Sequence, residues 1–392
     1  MRLGLGIGAL TLAYLLSQFY RAFLAVLAPT LSAEIGATGA TLADASGLWF
    51  LGFAAMQIPV GWALDRIGPR WTASVLLALG GGGGAAVFAT ATGPGAILAA
   101  MALIGIGCAP VLMSAYFILA RSVPAERFGT LAGVVLGVAL LGNIASAAPL
   151  AWAVEVVGWR GSVWAMAGVT VAGAGLIAVA VRDPDRPAGP ARGSVWELVR
   201  QPALWPIMAM MAVCYMPVAA LRGLWVGPFH AAVYGYDTGE VGRVALVMGL
   251  SMVAGTFAMG PLERRLGTRK WLILGTNLGV GIAVLGLWAF GAADARVALA
   301  LFAAVGLLGS SFPLVIAHGR AFVPAHLTGR GVTLLNMFGI ASVGLAQVLT
   351  GRLYAAVPPD PPAAPYAAVF LAIGLVTLAG CAAYLPSTDR TD

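Results

Sequence analysis

The sequence predicts an all-α membrane protein in which twelve transmembrane helices form two pseudo-symmetric six-helix bundles. Three observations predict it. Of 392 residues, 60% are hydrophobic and only 9% are charged, against about 25% charged in a typical soluble domain. Apolar runs recur along the whole chain, each near the roughly 20 residues a helix needs to cross a bilayer. Two loops also share one charged, glycine-bearing pattern 199 positions apart.

The charge deficit is spread over the full length, which excludes a single anchor attached to a soluble domain. The runs are continuous and show no period-2 alternation, so they read as helices rather than barrel strands. Twelve spans are expected at 6–31, 41–63, 70–91, 95–120, 128–151, 160–181, 203–230, 240–262, 270–291, 295–319, 330–355 and 365–385. The first run could mimic a signal peptide, but it is too long and Arg21 interrupts it, so it reads as the first span. Residues 1–181 make the N-terminal six-helix bundle and residues 202–392 the C-terminal one. Between them, 182–201 form a cytoplasmic linker. It holds Asp183-Pro184-Asp185-Arg186-Pro187, then Gly193-Ser194-Val195-Trp196-Glu197-Leu198-Val199-Arg200, a short amphipathic helix for the membrane surface.

Orientation follows from the basic residues. With both termini cytoplasmic, the inner side collects Arg2, Arg66, Arg70, Arg121, Arg127, Arg182, Arg186, Arg192, Arg200, Arg264, Arg265, Arg269, Lys270, Arg320, Arg330 and Arg390. The outer side collects only Arg160, Arg243, Arg296 and Arg352. The net charge of +7 is therefore a topology signal and not a nucleic-acid footprint. Cys108, Cys214 and Cys381 all fall in apolar runs, with no disulfide framework and no CxxC metal pattern. Basic residues that are almost all arginine point to a GC-rich bacterial genome, hence to the cell inner membrane. The expected partners are the lipid bilayer and a small molecule bound by a monomer, with no nucleic acid and no cofactor.

The repeat is specific. Gly61-Trp62-Ala63-Leu64-Asp65-Arg66-Ile67-Gly68-Pro69-Arg70 follows span two, and Gly260-Pro261-Leu262-Glu263-Arg264-Arg265-Leu266-Gly267-Thr268-Arg269 follows span eight. Both fit G-x-x-x-(D/R)-R-x-G-x-R. A second pair, Arg121-Ser122-Val123-Pro124-Ala125 and Arg320-Ala321-Phe322-Val323-Pro324-Ala325, recurs at nearly the same offset. Two matches at one offset argue for duplicated six-span halves, an architecture of secondary transporters.

G-x-x-x-D-R-x-G-x-R between spans two and three resembles the loop motif of the major facilitator superfamily. Span count, orientation, central linker and degenerate second copy extend the resemblance over the whole chain. Gly61 and Gly68 are expected to allow close helix packing and a tight turn. The resemblance implies that Asp65, with Arg66 and Arg70 around it, contacts the start of span eleven and holds an inner gate shut. Here that stretch is Gly329-Arg330-Gly331, and an acid facing a helix N-terminus and an arginine is favourable. In the second copy, Gly260, Arg265, Gly267 and Arg269 keep the pattern, but Arg264 replaces the acid, with Glu263 the nearest substitute. The plainer reading is that these charges only set topology.

Arg21 lies inside span one and Arg222 inside span seven, equivalent spans of the two halves. A charge at mid-bilayer costs about 2.5–3.5 kcal/mol on insertion scales, so such residues normally face a cavity or pathway. Thr11, Tyr14, Gln18 and Arg21 share one helical face, as do Met211, Tyr215 and Arg222 on span seven. Span eleven aligns Thr333, Asn336, Val343, Gln347 and Thr350, while Tyr116 and Asn143 add polar groups to the first half. The resemblance implies a cavity lined by spans one, four, seven and ten, with five, eight and eleven behind. No Asp or Glu lies deep in any span, and Asp44 at the outer end of span two comes nearest. Two cations in the apolar core predict a small anion, an organic carboxylate or inorganic oxyanion, as the transported substrate. Snorkelling of both arginines to the outer surface is the bland alternative.

Three other readings compete. A multidrug/proton antiporter usually needs a buried carboxylate, and the Gly-Pro-rich motif of such exporters is replaced by Leu141-Gly142-Asn143-Ile144-Ala145-Ser146-Ala147-Ala148-Pro149. A copper importer would use Met210-x-x-x-Cys214 and Met248-x-x-x-Met252, whose soft sulfur ligands suit Cu(I), though methionine is also common filler in apolar helices. A ligand sensor could keep the fold without transport. An enzyme is not expected: His230, His318 and His326 have no carboxylate at metal spacing.

Overall fold

The computed structural model describes residues 2–184, 195–324 and 327–390. Residues 185–194 of the linker, with Arg186 and Arg192, lie outside the described residues, as do Ala325 and His326. Within the linker, α12 (Val195–Val199) is helical. Among the described residues, eleven helical segments are long and apolar enough to cross a bilayer. The chain forms two compact units, Met1–Gly189 and Pro190–Asp392.

In the first unit, span one is α1 (Arg2–Tyr20) and α2 (Phe23–Ile35). Span two is α3 (Gly39–Ala55) and α4 (Gln57–Arg66). Span three is α5 (Pro69–Leu76), a π-helical stretch (Leu77–Gly82) and α6 (Gly83–Ala89). Span four is α7 (Pro94–Cys108) and α8 (Pro110–Ser122). Then come α9 (Ala125–Ala139), α10 (Leu141–Ala145) and α11 (Ala148–Ala180). In the second unit, span seven is α13 (Trp205–Cys214), α14 (Met216–Ala220), a π turn (Leu221–Trp225) and α15 (Val226–Tyr234). Spans eight and nine are α16 (Thr238–Leu266) and α17 (Lys270–Phe290). Span ten is α18 (Ala295–Leu308) and α19 (Phe312–Arg320), followed by α20 (Thr328–Ala356) and α21 (Ala364–Tyr384).

Span five, like spans one to four, is not one continuous helix. It is split among α9, α10 and the start of α11, so no single long helix corresponds to 128–151. Spans five and six meet at Gly158, whose non-helical φ of 74° and ψ of 164° suit a residue without a Cβ and break the helix between the expected limits of the two spans. The breaks in spans two, four, seven and ten each fall beside a proline, at Pro59, Pro110, Pro217 and Pro313, which lacks the amide that would continue the ladder. The break in span one has no proline and falls at Arg21-Ala22.

Packing repeats the duplication seen in the loops. In the first unit α3 lies on α7, and a Cβ on Gly105 would overlap the Trp49 carbonyl. In the second, α16 lies on α18, and a Cβ on Gly306 would sit 2.5 Å from the Met248 oxygen. The two glycines are 201 positions apart and their partners 199. Small residues at such crossings let helix backbones approach closely, the usual route to association in lipid.

Candidate functional site

Arg21 occupies the turn between α1 and α2 and is 8% exposed. Its guanidinium carbon lies 5.1 Å from the ring centroids of both Trp49 and Phe53 and 6.0 Å from that of Tyr14. Trp49 and Phe53 are four residues apart on α3, so they share a face, and their rings stack at 5.3 Å. Desolvated cation–π contacts of this kind contribute about 2 kcal/mol. The sequence reading missed both rings, because aromatics inside an apolar span look like ordinary core or lipid-facing residues.

Gln18 stands one turn before Arg21, and its Nε2 donates to the Tyr14 hydroxyl at 3.4 Å. Asn143, on α10, is buried, and α10 packs on α1. Both side-chain polar atoms of Asn143 and the Oε1 of Gln18 are buried without a hydrogen-bond partner among the described residues. Leaving such a group unanswered costs about 1–3 kcal/mol. Tyr116 is half-buried on α8.

Arg222 is 3% exposed and sits in the π turn of span seven. π turns insert a residue into the ladder and are common at functional sites. Here Gln347 Nε2 donates to the Ala220 carbonyl at 3.3 Å, just before that turn. Trp225 Nε1 donates to Thr350 Oγ1 at 3.2 Å, and Thr350 Oγ1 donates to the Gln347 carbonyl at 3.0 Å. Gln347 thus ties span eleven to the irregular backbone of span seven, a supporting role its sequence position did not reveal. Tyr215 is buried against the Phe312 ring at 5.2 Å, and Asn336 is half-buried. Met210, Cys214, Met248 and Met252 are all buried. The first pair rides on α13, which packs mainly on α19, α20 and α21, and the second on α16, which packs mainly on α18.

The loop motif departs from expectation at one glycine and meets it at another. A Cβ on Gly61 or on Gly260 would meet nothing within 4 Å, so neither glycine serves close packing. Gly68 does meet the expectation of a tight turn: φ is 104°, and a Cβ there would lie 2.5 Å from the Asp183 carboxyl carbon. Asp183 Oδ1 accepts from the Arg70 backbone amide at 2.8 Å, capping α5. Arg70 Nε donates to the Ala178 carbonyl at 2.5 Å, and its guanidinium lies 4.8 Å from the Trp71 ring centroid. Arg66 lies 6.0 Å from the Trp62 centroid. Asp65 pairs with Arg121 at 3.5 Å.

The second copy repeats the cap. Asp389 Oδ1 accepts from the backbone amides of Arg269 at 3.2 Å and Lys270 at 2.9 Å, and its other oxygen accepts from Thr268. Partial burial works against ionisation of Asp389, but the hydrogen bonds from Thr268, Lys270 and Arg269 outweigh it and hold the carboxyl below its ordinary range. Arg269 Nε donates to Glu263 at 2.6 Å, Gly267 turns at φ 64°, and Arg264 and Arg265 are exposed. Neither capping acid was anticipated: each lies more than 100 positions from the amides it serves. His318 is pinned beside the second cap, between the Tyr384 hydroxyl at 2.6 Å and the Thr388 carbonyl at 2.9 Å.

Two duplicated helical bundles, each with a buried arginine at a helix irregularity, define a polytopic membrane protein of the secondary-transporter kind. The sequence profile of the Major Facilitator Superfamily matches residues 10–339, and the chain belongs to that family. Its members carry small molecules across membranes and are not enzymes. Solved structures agree in fold. A bacterial homologue of the human lysosomal transporter Spinster, inward-facing and occupied, is 17% identical with a TM-score of 0.76, covering 97% of this chain and 95% of that one. A D-xylose–proton symporter is 16% identical with a TM-score of 0.77, covering 97% of each chain. A point mutant of the nucleoside transporter NupG is 14% identical with a TM-score of 0.74, covering 97% of this chain and 99% of that one. No curated protein matches the chain in sequence at a significant level.

Proposed function

We propose that the chain is an alternating-access carrier of a small anion, an organic carboxylate or an inorganic oxyanion, with Arg21 and Arg222 as its anion ligands. One observation carries this reading: each unit keeps an arginine more than nine-tenths buried, Arg222 inside a membrane-length helical run and Arg21 in the turn between two apolar helices, at repeat-related positions. Holding a guanidinium there costs several kcal/mol, and such residues normally face a cavity or pathway. A planar guanidinium fork binds carboxylates and oxyanions in two-point fashion. Tyr14, Gln18, Tyr116 and Asn143 in the first unit, and Tyr215, Asn336 and Gln347 in the second, complete the polar set. The loop residues Gly61 to Arg70 and Arg330 act in gating. The arginine-rich loops on one side support an orientation with both termini cytoplasmic, and the carrier is read as a monomer in the cell inner membrane.

The test is a thermal-shift screen of the purified protein against acetate, oxalate, nitrate, sulfate, phosphate, Cu(I) and a cationic drug. An anion is expected to raise the midpoint, and the rise is expected to vanish in both Arg21→Gln and Arg222→Gln. Full anion response and full proteoliposome uptake in both variants would sink the reading, and stabilisation by Cu(I) or the drug alone would replace it.

A further inference from the structure

The orphaned amide of Asn143 narrows the substrate class. We infer that the ligand of the first unit carries a hydrogen-bond donor, a hydroxyl or an amine, beside its anionic group, and that Asn143 reads this donor with Gln18 in support. The inference rests on the anion reading above.

Asn143 lies on α10, the five-residue piece of the broken span five. The backbone of that piece looks after itself: the Asn143 amide donates to the Leu140 carbonyl at 3.0 Å, and its carbonyl accepts from Ser146 Oγ at 3.0 Å. The side chain is therefore not a cap. Its neighbour Gly142 lies so close to α1 that a Cβ would overlap the Leu15 carbonyl, which fixes Asn143 beside the helix carrying Gln18 and leading to Arg21. The residue is 1% exposed, and neither end of its amide is bonded within the described residues. Asn277, the buried asparagine of the second unit, differs at its nitrogen: Nδ2 donates to the Ile273 carbonyl and to Ser311 Oγ, both at 2.8 Å, and only its Oδ1 lacks a partner among the described residues, whereas in Asn143 both ends do.

Either rotation of the Asn143 amide presents one carbonyl oxygen and one NH2. The oxygen requires a donor. Gln18 Oε1 adds a second buried acceptor in the same helix turn as Arg21. Nitrate, sulfate or an unsubstituted carboxylate brings only acceptors; it satisfies guanidinium and NH2 groups and leaves the carbonyls unanswered. A hydroxycarboxylate or aminocarboxylate satisfies both kinds of group. Sites built to bond a substrate hydroxyl reject the analogue lacking it, because their own polar groups are then left buried and unpaired.

Isothermal titration of the purified full chain with matched probes tests this: lactate against propionate, malate against succinate, sulfate, and the neutral polyol xylitol. Lactate or malate is expected to bind about tenfold or more tighter than its unsubstituted partner. The preference is expected to fall to near unity in Asn143→Leu and to be partly retained in Asn143→Ser, which keeps a small polar group if the leucine variant does not fold. Propionate, succinate or sulfate binding as tightly as the hydroxylated probes overturns the inference and leaves the anion reading standing. A hydroxyl preference untouched by both Asn143 substitutions and by Gln18→Leu overturns it as well. Xylitol binding that depends on Asn143, without carboxylate binding, removes the anion reading and with it the inference as stated, leaving only a donor contact at Asn143. Silence from every probe overturns both.

Discussion

The two motif loops share a scaffold and differ at its electrical centre. In the first half, Asp65 pairs with Arg121 at 3.5 Å. At the equivalent positions of the second half stand Arg264 and Arg320, both cationic and both exposed, where the same pair cannot form. That half instead joins Glu263 to Arg269 at 2.6 Å inside the motif itself. Yet both loops turn on a positive-φ glycine, Gly68 or Gly267, and both end against an aspartate from beyond the unit's last helix, Asp183 or Asp389. The turn and the cap are what the helix start requires, since its first amides have no partner within the helix. The charge at the motif's centre is not needed for that, so it can differ between copies.

The largest expected break in the symmetry lies at a helix crossing. Gly142 on α10 and Gly339 on α20 are related positions, each facing the first helix of its unit's bundle. A Cβ on Gly142 would overlap the backbone carbonyl of Leu15, whereas one on Gly339 would meet side chains first, the Met211 methyl at 2.7 Å and the Phe312 ring edge at 2.8 Å. Backbone cannot yield and a methionine tip can. Gly142→Ala is expected to cost about 2–3 kcal/mol, some 2–4 °C in the detergent unfolding midpoint of a chain this long, and Gly339→Ala about half as much or less. Equal losses would mean that the two crossings are equivalent after all.

Much of this was legible in the sequence, and the reason is physical. A bilayer imposes helices of fixed length, so the apolar runs and their twelvefold repetition follow directly. Arg21 and Arg222 stood out because lipid makes buried charge costly. What remained hidden was whatever depends on contacts distant in sequence: the Trp49–Phe53 cover on Arg21, the Asp183 and Asp389 caps, and the Gln347 tie to Ala220. The boundary between spans five and six was legible at Gly158, between Glu155 and Arg160, but the breaks inside span five between α9, α10 and α11 were not, because no proline or charge marks the first of them. The packing role expected of Gly61 is not seen: a Cβ there would meet no neighbour within 4 Å among the described residues.

The caps offer a middle-sized test of what the halves share. Asp183→Ala and Asp389→Ala are each expected to cost about 1 kcal/mol, as losing an N-terminal cap usually does. The Asp389 cap should also depend on pH. Its carboxyl ionises below its ordinary range in the folded chain, so the stabilisation is full above the unfolded value of about 3.9 and is lost as pH falls through the lower folded value. Unfolding midpoints of the parent and of Asp389→Ala should therefore differ at neutral pH and converge below about pH 4. A gap that persists unchanged into acid would show that the side chain packs rather than caps.

The smallest effect is the one that separates the copies. The Asp65–Arg121 pair is partly exposed, with side-chain exposures of 57% and 28%, and such pairs contribute about 0–1 kcal/mol, less at high salt. A double-mutant cycle of Asp65→Asn and Arg121→Gln should give a coupling of a few tenths of a kcal/mol that fades as salt is raised. Arg264→Asp writes the first-half pair into the second half opposite Arg320 and should raise the unfolding midpoint by no more than that. Transport is the more informative reading of the same variants. If Asp65→Asn alters uptake strongly while barely moving stability, the acid acts in the conformational cycle and its absence from the second copy is functional asymmetry. If uptake and stability both stay put, the charge serves only to orient the loop, and the two halves differ there by drift.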